Sequence, residues 1–315
     1  MTALPAQFKL SQSPVAKLKS VIKIGKLRLS LLTSRLIRIE YSPNGQFEDR
    51  PSQAFWYRDQ PTPDYHSGAE GDFFSLETNH LVLTYDLKRD IPEALSIFIK
   101  ENGHTWHYGD QPTGNLRGTF RTLDRADGAV ELELGLVSRE GWALVDDSQS
   151  LVFTPNGWLT NRDTSPTHDL YFFGHGTDYQ GAIDDYFAVS GRVPMIPRWA
   201  LGNWWSRYWA YSDQDLLDLM DEFEAHNIPL SVCIVDMDWH ITDTGGKGSI
   251  WSSGWTGYTW NTALFPNPQG FIDQLHQRKL RTALNLHPHA GVEAHEGMYE
   301  QFGKWMNHDT SDESP

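Results

Sequence analysis

Three short stretches concentrate the side chains able to do chemistry. They are Asn203-Trp204-Trp205-Ser206-Arg207-Tyr208-Trp209, Asp236-Met237-Asp238-Trp239-His240 and Asn285-Leu286-His287-Pro288-His289. Each follows a short apolar run and mixes aromatic with polar groups. Eight of the thirteen tryptophans lie between residues 199 and 260: Trp199, Trp204, Trp205, Trp209, Trp239, Trp251, Trp255 and Trp260. A core does not need indole so densely, because a buried indole N–H must find an acceptor. An aromatic wall beside carboxylates suits a sugar: the apolar face of a pyranose stacks on indole, and carboxylates accept its hydroxyls. The plainer alternative is that these tryptophans fill core.

Asp236 and Asp238 alternate at a strand end, so in a regular strand their side chains point to opposite faces. Asp236 directly ends the apolar run and is favoured as the ligand contact. The alternative is an aspartate capping the next turn. Arg207 could orient such a carboxylate, touch a substrate or form an ordinary surface ion pair. His287 and His289, with Asp236, also invite a metal reading, because His-x-His at a strand end suits metal-dependent hydrolysis. His287 as a hydrogen-bonding rim residue is the preferred alternative, and no resident metal or cofactor is expected.

These clusters need elements to hold them. From about Val21 to Phe153 the texture is short and alternating. Val21–Ile24, Leu27–Leu32, Leu36–Tyr41, Leu81–Tyr85 and Leu95–Ile99 read as strands, several of them with one buried and one wet face. Turn signals such as Pro43-Asn44-Gly45 and Glu101-Asn102-Gly103 separate them. Many short strands between turns predict an antiparallel sandwich. Gly181–Ser190 reads as a helix that leads to a connection closed by Pro194 and Pro197.

The period then changes. Ala200–Trp205 reads as a strand. A helix follows Ser212 with Leu216, Leu219, Met220 and Phe223 on one face. Ser231–Val235 is a strand, Asn267–Arg278 a helix with proline at its first position, Leu280–Leu286 a strand and Glu293–Asn307 a helix. Such β-α alternation builds a parallel sheet with right-handed crossovers. In that architecture ligands bind beyond the carboxyl ends of the strands, which is where the three clusters fall.

The chain has 315 residues and a net charge of −15. That acidity disfavours nucleic acid and anionic membrane as partners. The single cysteine, Cys233, precludes an internal disulfide and fits a reducing compartment. No leader segment or run of 18 apolar residues is apparent, so a cytoplasmic setting is expected.

The ordered motifs resemble family 31 glycoside hydrolases, the α-glucosidase and α-xylosidase group. Pro197–Arg207 is similar to the first barrel strand of that family. Val235–His240 resembles the next strand end, and Gly254–Asn261 with Leu264-Phe265-Pro266 resembles the loop that follows. Phe173-Gly174-His175-Gly176 and Asp184-Asp185-Tyr186 resemble the junction after the family's N-terminal β-sandwich. The match runs from about Ser138 onward. The resemblance implies a galactose-mutarotase-like antiparallel β-sandwich over 1–190, followed over 191–315 by the first part of a (β/α)₈ TIM barrel. It implies that Asp236 binds hydroxyls of the sugar in the −1 subsite. Trp204, Trp205, Arg207 and Trp239 fall where the family lines that subsite. Asp146 or Asp147, in a loop resembling one that reaches over the barrel mouth, would contact substrate.

Retaining members of the family use two aspartates, and such a pair must lie about 5–5.5 Å apart. The resemblance puts both on later strands, in blocks that do not follow Leu286. An eight-stranded barrel takes about 250 residues, and fewer than half that number follow Trp199. The expectation is an incomplete barrel that binds α-glucosides or α-xylosides but does not turn them over alone, with no catalytic residue in this chain. Two rivals stand beside it: a carbohydrate-binding or partner-dependent fragment that self-associates through open strand edges, and a metal-dependent TIM-barrel hydrolase using His287, His289 and Asp236.

Overall fold

The computed structural model describes residues 5, 10–89, 92–118, 126–162, 168–242, 256–311 and 313. The chain divides into two compact units, 1–193 and 194–315. The division falls inside the proline-bearing connection, three residues past the expected boundary. Trp251 and Trp255, with Gly254 of the resembling loop, lie outside the described residues.

The first unit contains β1 (Val21–Ile24), β2 (Leu27–Leu31), β3 (Leu36–Tyr41), β4 (Tyr65–Glu70), β5 (Phe73–Thr78), β6 (Leu81–Asp86), β7 (Leu95–Ile99), β8 (Thr105–His107), β9 (Ala143–Asp146), β10 (Val152–Phe153), β11 (Leu159–Thr160) and β12 (His168–Phe173). They form two five-stranded antiparallel sheets, ordered β1-β2-β3-β12-β9 and β4-β5-β6-β7-β8, and a β10-β11 pair. Alternate residues of both large sheets meet in one apolar cluster. Leu27, Leu29, Leu31, Ile37, Ile39, Leu170 and Phe172 come from the first, and Leu76, Leu83, Tyr85 and Ile97 from the second.

The second sheet keeps a wet face, as β5 and β6 show with every other residue buried. In the first sheet β2 and β3 keep none, which corrects the expectation of a wet face on those strands. Every residue of β2 and β3 is buried. The face turned from the apolar cluster carries charge instead. Arg28 grips Glu40 through two hydrogen bonds of 2.6 and 2.8 Å. Arg38 grips Asp169 at 2.7 and 2.8 Å, and Arg162 adds a second cation to Asp169 at 2.8 Å. Arginine between carboxylates in strand alternation looks like a solvated face in a sequence. Paired and hydrogen-bonded, it can be buried instead. The unit ends in α1 (Tyr179–Ser190), capped by the Asp178 side chain and stopped at Gly191 with φ 92°.

In the second unit β13 (Trp204–Trp205), β14 (Val232–Val235) and β15 (Arg281–Leu284) form a parallel sheet in that order. Between them lie α2 (Asp213–Ala225) and α3 (Pro268–Gln277), and α4 (Tyr299–Met306) follows. Ser212 caps α2 in a reciprocal box with Asp215, so aspartate does the work usually given to glutamate at that position. Asn267 caps α3, with Pro268 at its first turn. Leu216, Leu217 and Met220 of α2 pack with Cys233 and Val235 of β14 and with Phe271 and Leu275 of α3.

Most element ends fall within two residues of expectation, and two elements depart further. The strand expected over Ala200–Trp205 is a 3₁₀ turn at Arg198–Leu201 followed by a two-residue strand. The helix expected over Glu293–Asn307 begins only at Tyr299. The residues before it are turned to other use: Glu293 and Glu296 are buried, and Glu296 is bonded to Thr256.

Candidate functional site at the carboxyl ends of the parallel strands

The register of the parallel sheet decides which side chains share a face. Val232 pairs with Trp204 and Arg281, Ile234 with Ala283, and Val235 with Leu284. Cys233 and Val235 point into the helix-packed cluster. Strand alternation therefore puts Val232, Ile234 and Asp236 on the opposite face. Trp204 and Asn285 share that face, because Trp205 packs 5.0 Å from Phe223 of α2 and Leu284 packs on the helix-side cluster.

Asp236 is half-buried at the end of β14. Its Oδ1 accepts hydrogen bonds from the Met237 amide at 2.8 Å and from Asn285 Nδ2 at 2.7 Å. The first of these makes Asp236 the cap of the turn Met237–Trp239. Capping and ligand contact are not exclusive here, since both donors bind Oδ1 and Oδ2 is the oxygen available to a hydroxyl. Asn285 itself is set by its amide, which donates to the Val235 carbonyl at 3.0 Å. Asp238 is turned toward Thr242, whose hydroxyl donates to it at 3.3 Å.

The aromatic groups divide. Trp204 is 42% exposed, and its indole N–H donates to the Ala200 carbonyl at 3.2 Å. Arg207 is exposed, with its guanidinium 4.8 Å from the centre of the Trp209 ring. His287 is half-buried two residues beyond Asn285.

Three expected contacts are placed elsewhere. Trp205 lies on the helix side of the sheet. Trp239 is only 6% exposed, stacks edge-on against Trp260 at 5.0 Å, and donates its indole N–H to the Asn285 carbonyl at 2.7 Å. Both fill core because each finds apolar neighbours on the helix layer. Asp147 is 1% exposed inside the first unit and pairs with Arg162 at 3.0 Å. Burial, with Asp169 nearby, pushes its carboxyl above the ordinary range.

Asn285 was not among the expected contacts. Its signal was its place as the first polar residue after the third apolar run, in register with Asp236. Cys233 offers no nucleophile, since burial pushes its thiol up to about 12. Among the described residues no three His, Cys, Asp or Glu side chains gather in a metal-binding arrangement, and His289 is exposed on a separate 3₁₀ turn. Among the described residues no helix is long and apolar enough to cross a membrane.

Residues 193–313 match the profile described as glycosyl hydrolases family 31, TIM-barrel domain. An α-xylosidase of Saccharolobus solfataricus is 26% identical over 229 residues, covering 69% of this chain and 29% of that protein. The α-xylosidase XylQ of Lactiplantibacillus pentosus is 25% identical over 159 residues, covering 49% of this chain and 20% of that protein. The chain thus spans under a third of the length of these curated relatives. Among solved structures, a GH31 α-xylosidase from Xanthomonas citri superposes with a TM-score of 0.60 at 12% identity, covering 92% of this chain and 51% of that one. A GH31 dextranase of Flavobacterium johnsoniae, in complex with isomaltotriose, superposes with a TM-score of 0.56 at 18% identity, covering 82% of this chain and 36% of that one. The chain is thus similar to family 31 glycoside hydrolases, and residues 193–313 match that family's TIM-barrel domain.

Proposed function

We propose that the second unit holds part of the sugar subsite of an α-glycosidase acting on α-glucosides or α-xylosides. In this reading the two sheets of the first unit form a β-sandwich and the three parallel strands are the first part of a (β/α)₈ barrel. The observation that carries it is the Asp236–Asn285 pair, at 2.7 Å, on the sheet face turned from the helices. A carboxylate so held accepts sugar hydroxyls without losing its orientation. Exposed Trp204 supplies a stacking surface on the same face. Arg207, Asp238 and His287 form the rim.

Binding and turnover separate in this chain. Beside Asp236 the described strand ends offer Asn285, and Asp238 is engaged by Thr242. Retaining hydrolysis needs a second carboxylate about 5–5.5 Å from the first. The chain alone is therefore expected to bind glucose or xylose, read by tryptophan fluorescence, and to leave 4-nitrophenyl α-glucoside and α-xyloside intact. Hydrolysis by purified chain, lost in Asp236→Ala, would show that a complete catalytic set is present. Absence of any sugar response would remove the subsite reading.

A second reading concerns association. Among the described residues β13 and β15 each have one hydrogen-bonded neighbour, and unpaired strand edges recruit further strands. Leu201 and Trp209 near β13 are 74% and 57% exposed. The chain is expected to elute from gel filtration above its monomer mass of 36.0 kDa. A compact monomer across a hundredfold concentration range, by roughly that dilution test, would exclude self-association.

A further inference from the structure

Glu296 is 4% exposed, and its hydrogen bonds run to residues 256–258. Its carboxylate is wrapped by the segment 256–258. Oε1 accepts from the Thr256 hydroxyl at 2.6 Å, the Gly257 amide at 3.0 Å and the Tyr258 amide at 3.2 Å. Behind it, His295 lies between two buried carboxylates, with Nδ1 3.4 Å from Glu293 and Nε2 3.5 Å from Glu296. Burial works against the charge of Glu296, but the hydrogen bonds outweigh it and hold its carboxyl below the ordinary range. Gly257 is at φ 93°, and a Cβ there would stand 2.8 Å from His240 Cδ2. Only glycine lets this segment close over His240 and reach the carboxylate.

The clamped segment is continuous with the site. Gly297 N donates to the Thr259 hydroxyl at 2.8 Å, and Asn261 N donates to the Trp239 carbonyl at 2.8 Å. Trp260 then stands edge-on to Trp239 at 5.0 Å. Trp239 donates to the Asn285 carbonyl at 2.7 Å, and the Asn285 side chain donates to Asp236 at 2.7 Å. Every link is a hydrogen bond or a packed ring pair, so displacement of the segment has a physical route to the carboxylate.

We propose that Glu296, backed by His295, is a positioning residue: it clamps residues 256–260 so that Trp260 props Trp239 and thereby sets Asn285 against Asp236. The proposal rests on the reading of Asp236 as a sugar contact. Glu296 does not touch the sugar itself.

The test uses the full chain and its Glu296→Ala, Glu296→Gln, Thr256→Val and Trp260→Phe variants. Two indoles 5.0 Å apart at 66° couple their transitions and give a paired far-ultraviolet circular dichroism signal. Trp260→Phe identifies that signal. Glu296→Ala is expected to lose it while keeping helix content and cooperative unfolding, and to weaken glucose or xylose binding about tenfold. Glu296→Gln, which keeps an acceptor for Thr256 and one amide, is expected to retain signal and binding. Thr256→Val removes one donor and leaves Glu296 in place, so it serves if Glu296→Ala does not fold. It is expected to lose part of the signal and part of the binding. Wild-type binding that is unchanged in Glu296→Ala, or in Thr256→Val where that is the folded variant, overturns the inference alone. So does an indole signal that survives in the same variant. A wild-type chain that binds no sugar overturns the reading of Asp236, and the inference falls with it.

Discussion

Asp236→Ala is expected to remove the sugar-dependent fluorescence change of the chain. The physical reason is the uneven use of its two oxygens. Oδ1 is held by the Met237 amide and Asn285 Nδ2, and in the proposed subsite Oδ2 is the oxygen that meets the ligand. A hydrogen bond to a charged acceptor contributes about 1.5–3 kcal/mol, which is about 10–150-fold in dissociation constant. Asn285→Ala should cost less, because the carboxylate stays while only its orientation loosens. The variant pair should therefore rank Asp236→Ala, then Asn285→Ala, then wild type in weakness of binding. Equal affinity for Asp236→Ala and wild type by calorimetric titration would mean that the sugar, if bound, sits elsewhere. Thermal unfolding of both variants checks that the sheet has survived.

Asp169→Asn is expected to be the most destabilising of single charge-to-amide changes in the first unit. Asp169 is fully buried and receives Arg38 and Arg162. Burial alone would drive its carboxyl up, but Arg38, with Arg58 and Arg162, outweighs it and holds the group well below the ordinary carboxylate range. An amide in its place breaks both buried pairs and leaves Arg38 to Glu40 and Arg162 to Asp147, and breaking a buried pair costs about 3–5 kcal/mol. The sign with pH follows from the depressed folded value. The stabilisation is fully present above the unfolded pKa of about 3.9 and is lost as pH falls from there through the folded value. Wild-type protein should thus lose stability steeply below about pH 4, and Asp169→Asn should show a flatter acid limb from a lower plateau. Urea unfolding at neutral pH and at acid pH measures both. A variant within about 1 kcal/mol of wild type would mean that the pair contributes little beyond its own desolvation cost.

The legibility of the chain was uneven for reasons visible in single residues. β1, β3 and β7 coincide with the expected runs to the residue, because β-branched and apolar alternation is a local property. The polar strand β4, Tyr-His-Ser-Gly-Ala-Glu, was not seen. It is an edge strand with five of its six residues exposed, so no burial pattern marks it. The caps at Ser212 and Asn267 were readable because a cap is satisfied within one turn. Asp236 was readable from its place after an apolar run. The pairing of Asn285 with Asp236 and that of Glu296 with residues 256–258 were not, since the partners stand 49 and 38–40 residues apart.

Sequence alone determined the change from antiparallel to β-α texture, the ends of most helices, and the sugar-suited mixture of carboxylate and indole at three strand ends. Those depend on alternation, capping and residue type, all set within a few positions of the chain. Tertiary structure decided which tryptophans face the candidate site. It sent Trp205 and Trp239 into the helix layer and left Trp204 exposed. It also decided that Arg28, Arg38 and Asp169 are buried rather than wet, that Asn285 meets Asp236, and that Glu296 meets Thr256. The reason is that parallel strands meet through long crossovers. Their register, and so every side-by-side pair at their ends, is set by packing on α2 and α3 and not by neighbours in sequence.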